Sequence, residues 1–293
     1  MANAKEQLVI VDTVQTAGCI SYFRCASETD LTKLAAAWEA QGLDMKALPA
    51  QPDKEVALGR AVRGVSEKRV LVRPLARRGA WGIVHEHAEE RQGLPPKLTH
   101  EMIVHVFFRD NMPVVEQANG TYAQMQAYSE RIAVAYSDAR NMLAHVDVSS
   151  WLVKQAYQRN AVSLRESGGV YFIPRAKAEE WQKIAKALDA AGSSVFTIPA
   201  MRTAEAVAAI TDAITAEAAA ETAKIEAELE KSGDEALGAR ALKTRVEALE
   251  AMLTKVGTYE ELIGKQLAIR ERVTSLRANV SAAILTVMNE EAA

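Results

Sequence analysis

Basic residues crowd one short stretch. Between Lys54 and Arg78 stand Lys54, Arg60, Arg63, Lys68, Arg69, Arg73, Arg77 and Arg78, against only Glu55 and Glu67. Such a stretch suits phosphate, because Lys and Arg neutralise a nucleic-acid backbone and release its counterions whatever the base sequence. Arg60 and Arg63 are three apart, hence neighbours on a helix face. Arg77 and Arg78 precede Gly79 between two strand-like runs, which predicts a hairpin tip able to reach a backbone or groove. Arg60, Arg63, Lys68, Arg69, Arg73, Arg77 and Arg78 are therefore the candidate nucleic-acid-binding set, with DNA or RNA as the partner. The opposing reading is a solvated face, or pairing with an acidic stretch. Thr203 to Glu235 supplies one, with nine acidic residues against Lys224 and Lys231.

Other chemistries find little support. The chain has no G-x-x-x-x-G-K-[ST], no G-x-G-x-x-G and no G-x-S-x-G. His100-Glu101 with His105 is one residue too long for a zinc-protease motif. On a helix the two histidines would diverge, and on a strand an odd step puts them on opposite faces. His85 and His87 share a strand face and could meet Cys19 and Cys25 at a zinc ion, but no spacing favours it. Pro52-Asp53 followed by Glu67-Lys68-Arg69 faintly resembles a metal-dependent nuclease core, yet Asp53 opens a helix instead of ending a strand. No catalytic residue, metal ligand or cofactor is nominated.

Several elements must carry the basic stretch. Cys19 to Arg24 reads as a strand, as does Leu8 to Val11. A helix follows with Leu31, Leu34, Ala35 and Trp38 on its apolar face, capped by Ser27 or Thr29 and ended by Gly42. A second helix spans about Lys54 to Gly64. Val70 to Leu75 pairs with Trp81 to His87. A loop at Gly93 to Pro96 then separates this hairpin from another, Met102 to Phe108 with Met112 to Gln117, turning at Asp110-Asn111. A helix starts at Thr121 and another covers about Val148 to Arg159. A third hairpin joins Val162 to Arg165 with Val170 to Ile173. A helix from Lys177 to Ala190 ends at Gly192, and Val195 to Ile198 is a last strand. Tyr22-Phe23 followed by a helix ending in Gly42 echoes Tyr171-Phe172 followed by a helix ending in Gly192.

All eight prolines lie between Pro49 and Pro199, and Tyr259 alone of the aromatics lies beyond Phe196. The remainder is rich in Ala, Glu, Lys and Leu at helical spacing. It breaks at Ser232-Gly233-Asp234 and mildly at Gly257. The expectation is an α+β fold: residues 1–199 form a hairpin-rich body, and residues 200–293 a tail of antiparallel helices or a coiled coil. The tail's seam is long, which predicts a homo-oligomer formed through it.

The net charge of −3 sets no global field toward nucleic acid or an anionic membrane. No apolar run is long enough to span a bilayer, so no membrane partner is expected. Met1 to Gln7 is polar, and two cysteines six residues apart make no disulfide framework, so the cytoplasm is the expected compartment.

The most distinctive local text is Leu164-Arg165-Glu166-Ser167-Gly168-Gly169-Val170-Tyr171-Phe172-Ile173-Pro174. With the upstream Arg60-Ala61 helix and the helical C-terminal region, it resembles an uncharacterised family of proteins encoded by phages, plasmids and archaea. The resemblance implies a mobile-element setting and no known activity. The functional expectation is an accessory protein that self-associates and touches nucleic acid through its basic hairpin. The alternative is a scaffold whose basic and acidic segments pair, and a metal-dependent enzyme on nucleic acid stands behind both.

Overall fold

The computed structural model describes residues 16–91, 94–231 and 238–291, so the strand expected at Leu8 to Val11 lies outside the described residues. The fold is α+β, with antiparallel sheets and a helical C-terminal region. Two compact units divide the chain. One takes in the described parts of Met1–Arg24, Trp151–Asp189 and Ser194–Ala293; the other is Cys25–Ser150 with Ala190–Ser193. The units thus do not follow the boundary drawn at residue 199: the C-terminal helices belong with the first strand.

In the first unit, β1 (Thr16–Arg24) is the second strand of a four-stranded sheet. We number the strands and helices of both units along the chain. The unit contains α4 (His145–Gln158) from Trp151 onward, β8 (Val162–Ser163), β9 (Tyr171–Pro174), α5 (Arg175–Ala190), β10 (Ser194–Met201), α6 (Ala204–Lys231), α7 (Ala239–Ile263) and α8 (Ile269–Glu291). The sheet runs β10-β1-β9-β8, with Ile20 opposite both Ile198 and Phe172. Gly168 and Gly169 take φ of +73° and +88° in the β8–β9 turn, a conformation that costs glycine little. On one sheet face Ala17, Val162, Phe172 and Ala200 share a single core with Ile210, Ile214, Leu249, Val256, Tyr259 and Val273 of the three long helices.

The helices run antiparallel, as cross-links at both ends require: Glu228–Arg245 and Glu217–Lys255 join α6 to α7, and Glu260–Arg270 and Glu250–Arg277 join α7 to α8. The small bundle expected from the seam is therefore present, and its seam is filled within one chain. Gly257 lies inside α7; the break comes at Gly264, whose φ of +77° ends the helix. Gly257 faces Arg270, whose guanidinium would stand 3.0 Å from an added Cβ, so packing overrides its low helix propensity.

The second unit contains β2 (Glu28–Asp30), α1 (Leu31–Ala40), α2 (Lys54–Gly64), β3 (Val70–Pro74), β4 (Trp81–Arg91), β5 (Leu94–Arg109), β6 (Met112–Gln117), α3 (Tyr122–Asn141) and β7 (Met142–Ala144). Asp30 caps α1, accepting from Thr32 and Lys33 N–H. Neither Ser27 nor Thr29 does so: the helix begins at Leu31, directly after Asp30, and the fully buried Thr29 hydroxyl is bonded to Ser193. Gly42 and Gly192 both adopt positive φ after their helices, so the two strand–helix echoes end alike.

The expected separation of the two hairpins is corrected. β4 and β5 pair out to Arg91 and Leu94, so the meander β3-β4-β5-β6 is one sheet. Pro95 and Pro96 lie within β5, near the end of the ladder, where a missing N–H costs least. One face of the sheet packs Ile83, Ile103, Val104 and Val106 against Leu58, Val62, Tyr128 and Ile132 of α2 and α3. The capping box of Thr121 and Gln124 starts α3.

Candidate nucleic-acid interface

Strand alternation decides which side chains meet on the other face of this sheet. Arg73 sits opposite Gly82, Gly82 opposite His105, Val84 opposite Met102, and Glu86 opposite His100. The register slips between Ile83 and Val84, which face Val104 and Met102, leaving Ile103 as an extra residue. Such a bulge lets Ile103 and Val104 both turn to the core. It also reverses an expectation. Five residues apart, His100 and His105 were assigned to opposite faces, yet the bulge brings both to the face carrying Arg73. Gly82 leaves room there for Met102, whose Sδ lies 2.4 Å from where a Cβ would stand. Arg73, Val84, His100 and Met102 line a shallow cavity of about 300 Å3.

The Arg77-Arg78-Gly79 turn is a tight hairpin tip. Leu75 N–H donates to Ala80 O at 2.9 Å, and Gly79 has a φ of +72°. The tip carries the Arg77 guanidinium to 5.4 Å from the centroid of the Phe107 ring. Arg109, two residues along β5, places its own guanidinium 5.6 Å from the same ring. Each contact is a cation–π attraction. Arg109 is also paired with Glu116 of β6, and His100 Nε2 lies 3.4 Å from Glu86. The face therefore presents Arg73, Arg77 and Arg109 against Glu86 and Glu116, with two histidines between them.

The structure brings some of the nominated residues together and holds others apart. Arg73 and Arg77 lie on this face, both exposed, and among the described residues neither has a carboxylate partner. Arg78, at the same tip, pairs with Glu55 at 3.0 Å while its side chain stays 92% exposed. Lys68 and Arg69 are exposed in the turn before β3, where Arg69 has a φ of +68° and its carbonyl accepts from Glu86 N–H. Arg63 is exposed on α2, across the sheet from Phe107. Arg60 is engaged internally, donating to Met142 O and lying 3.4 Å from Asp147. Sequence reasoning missed Phe107, Arg109, His100 and His105. The signal was present: in Val104-His105-Val106-Phe107-Phe108-Arg109 an aromatic occupies the polar phase of the alternation.

His85, His87, Asp53 and Glu67, the residues weighed for metal chemistry, have structural partners. His85 and His87 do share a face, their rings 6.5 Å apart, but His85 Nε2 meets the Tyr128 hydroxyl at 2.8 Å. Burial pushes the Tyr128 phenol up. His87 lies 3.5 Å from Glu101. Asp53 caps α2, accepting from Glu55 N–H at 2.8 Å, and Glu67 is paired with Arg131. Among the described residues no three His, Cys, Asp or Glu side chains are grouped to hold a metal ion, and no helix is long and apolar enough to cross a membrane. Cys19, 4% exposed on β1, is a free thiol whose pKa burial pushes up to about 11.

No curated protein and no solved structure matches the chain. A family model described as a family of unknown function, DUF6744, matches residues 19–290, so nearly the whole chain, both compact units included, belongs to the DUF6744 family.

Proposed function

We propose that this protein binds nucleic acid without sequence preference through the sheet face formed by β3, β4 and β5, with single strands favoured. The observation that carries the reading is the pair of guanidinium groups over Phe107, with the unpaired Arg73 on the same face. Single-strand binders combine basic side chains that follow the backbone with flat groups on which bases stack, and both aromatic rings and Arg planes serve. The modest charge of the face fits weak, salt-sensitive binding. The test is fluorescence anisotropy of labelled single-stranded DNA, single-stranded RNA and duplex DNA at roughly 50 mM salt, where such binding is strongest. Binding to single strands ahead of duplex supports the reading. No change in anisotropy with any of the three removes it and leaves the scaffold reading in its place.

We propose that the protein also self-associates. The helical seam is filled within one chain, so what favours a second copy is β10. Among the described residues this strand lies at the sheet edge; it carries no charged residue, and Phe196 and Ile198 are 40% and 51% exposed beside the 41% exposed Tyr22. Uncharged apolar edges invite pairing with another strand. The setting proposed for such an accessory protein is a mobile element, supported only by the likeness of the Gly-Gly-Val-Tyr-Phe hairpin.

A further inference from the structure

Four of the chain's five histidines stand on β4 and β5. His85 and His87 share the face on which Tyr128 of α3 bonds His85. His100 and His105 stand on the opposite face, among the groups proposed above to meet nucleic acid. His100 shares the shallow cavity of about 300 Å3 with Arg73, and Val84 and Met102 complete its lining with apolar surface. The His100 side chain is 44% exposed, so a ligand can reach the ring. His105, half-buried, lies between Gly82 of β4 and Glu116 of β6.

Among the described residues, every strand of the sheet brings charge to these two rings. β3 supplies Arg73, and the β3–β4 tip Arg77. Arg69, in the turn before β3, is joined to Glu86 through its backbone. β4 supplies Glu86, 3.4 Å from His100 Nε2. β6 supplies Glu116 opposite His105, its carboxylate held by Arg109 of β5. Guanidinium groups and carboxylates thus stand nearly in balance, and protonating both rings adds two positive charges. Protonation also changes the donors. A neutral imidazole has one N–H, which Glu86 draws to Nε2, leaving Nδ1 an acceptor that repels a phosphate oxygen. The protonated ring donates from both nitrogens, so it can hold Glu86 and a phosphate together.

We infer that this cavity seats one backbone phosphate of a bound single strand between Arg73 and protonated His100, so that binding strengthens as pH falls, with His105 adding a second charge alongside. The inference rests on the nucleic-acid reading of this face. Imidazole is the side chain whose charge changes between about pH 5 and 8, whereas arginine and the phosphodiester keep theirs. The complex therefore holds more protons than the free protein, and proton and phosphate each strengthen the binding of the other.

The test is anisotropy of rhodamine-labelled oligothymidylate with the full chain at about pH 8 and about pH 5.5, a span in which imidazole gains its proton and thymine gains none. At roughly 50 mM salt one full single-strand phosphate contact contributes about eightfold in affinity. The Kd of the parent is expected to fall roughly tenfold on acidification, and the slope of log K against log salt to steepen by about 0.7 to 1.4. His100→Gln with His105→Gln should bring the ratio of the two Kd values close to one. Acid charges every histidine, so His87→Gln and His145→Gln, both exposed and off this face, serve as controls and should keep the whole gain. Equal affinity at the two pH values, a gain that survives the double variant, or a gain lost in either control overturns the inference and leaves the reading of the face in place. If the double variant fails to fold, the slope of the parent decides, and equal slopes at the two pH values overturn the inference. No binding at either pH removes the reading of the face and the inference with it.

Discussion

The Arg77 guanidinium stands 5.4 Å from the centre of the Phe107 ring because two hairpins fold into one meander. The β3–β4 turn projects Arg77 past the edge of the sheet, and the β4–β5 register sets Trp81 beside Val106, bringing Phe107 level with the tip. Phe107 is outside the core that β5 forms with α2 and α3, so its replacement tests function with little effect on folding. Stacking of a base on an aromatic contributes about 1–3 kcal/mol. Phe107→Ala is thus expected to weaken single-strand binding by roughly tenfold or more and duplex binding far less, with the melting temperature close to that of the parent. Equal losses on both nucleic acids would exclude stacking as the role of Phe107.

Ser21 holds the β1 sheet to α5 through a buried relay. Its hydroxyl accepts from Trp181 Nε1–H at 2.8 Å and donates to Phe196 O at 3.0 Å, and Ser21 and Trp181 are both fully buried. Ser21→Ala leaves the indole N–H without a partner, which costs about 1–3 kcal/mol. Urea unfolding should show the midpoint lowered with an unchanged slope. An unchanged midpoint would mean that the relay does not contribute to stability.

Cys19 makes stability depend on alkaline pH. Its thiol titrates near 9.0 when unfolded and about 11 when folded. The folded state therefore keeps a proton that the unfolded state gives up, and stability falls as pH rises through this window. Two pH units correspond to about 2.7 kcal/mol. Between pH 8 and 11, Cys19→Ala should lose less stability than the parent by an amount of that order, measured by denaturant unfolding under reducing conditions. Parallel losses in the two proteins would show that the thiol ionises equally in both states.

The C-terminal helices complete a core and do not merely append to one. Phe172 and Ala200 are buried against residues of α6 and α7. A chain ending at Arg202 should expose this apolar face and aggregate or lose its near-ultraviolet circular dichroism. A soluble, cooperatively unfolding fragment would restore the independent body expected from composition alone.

The local elements were legible because each carries its own signal. Thr121 marks a helix start, Asp110-Asn111 with φ of +51° and +62° a tight turn, and Gly42 and Gly192 helix ends. What escaped reading depends on pairing across distance. Pro95 and Pro96 look like a loop until β4 is seen to extend beside them. The bulge at Ile103 is invisible without β4 opposite, so the shared face of His100 and His105 could not be foreseen. The site was half legible for the same reason. The basic run named Arg73 and Arg77, but only the register adds Phe107 and Arg109, and only the ion pairs separate Arg60 and Arg78 from the unpaired arginines. Composition placed the unit boundary at residue 199, where aromatics give way to alanine. It could not reveal that β1, β8 and β9 use those alanine-rich helices as their core.

The salt dependence of single-strand binding tests the central claim most directly. Each phosphate contact contributes about 0.7 to the slope of log K against log salt on a single strand. Anisotropy titrations between about 50 and 200 mM salt, the range over which phosphate-driven binding weakens steeply, should show affinity falling as salt rises. Arg73→Ala with Arg77→Ala should flatten the slope by about 1.4 and weaken binding alike on unrelated sequences. A double variant that binds with the affinity and slope of the parent would contradict the assignment of this sheet face to nucleic acid.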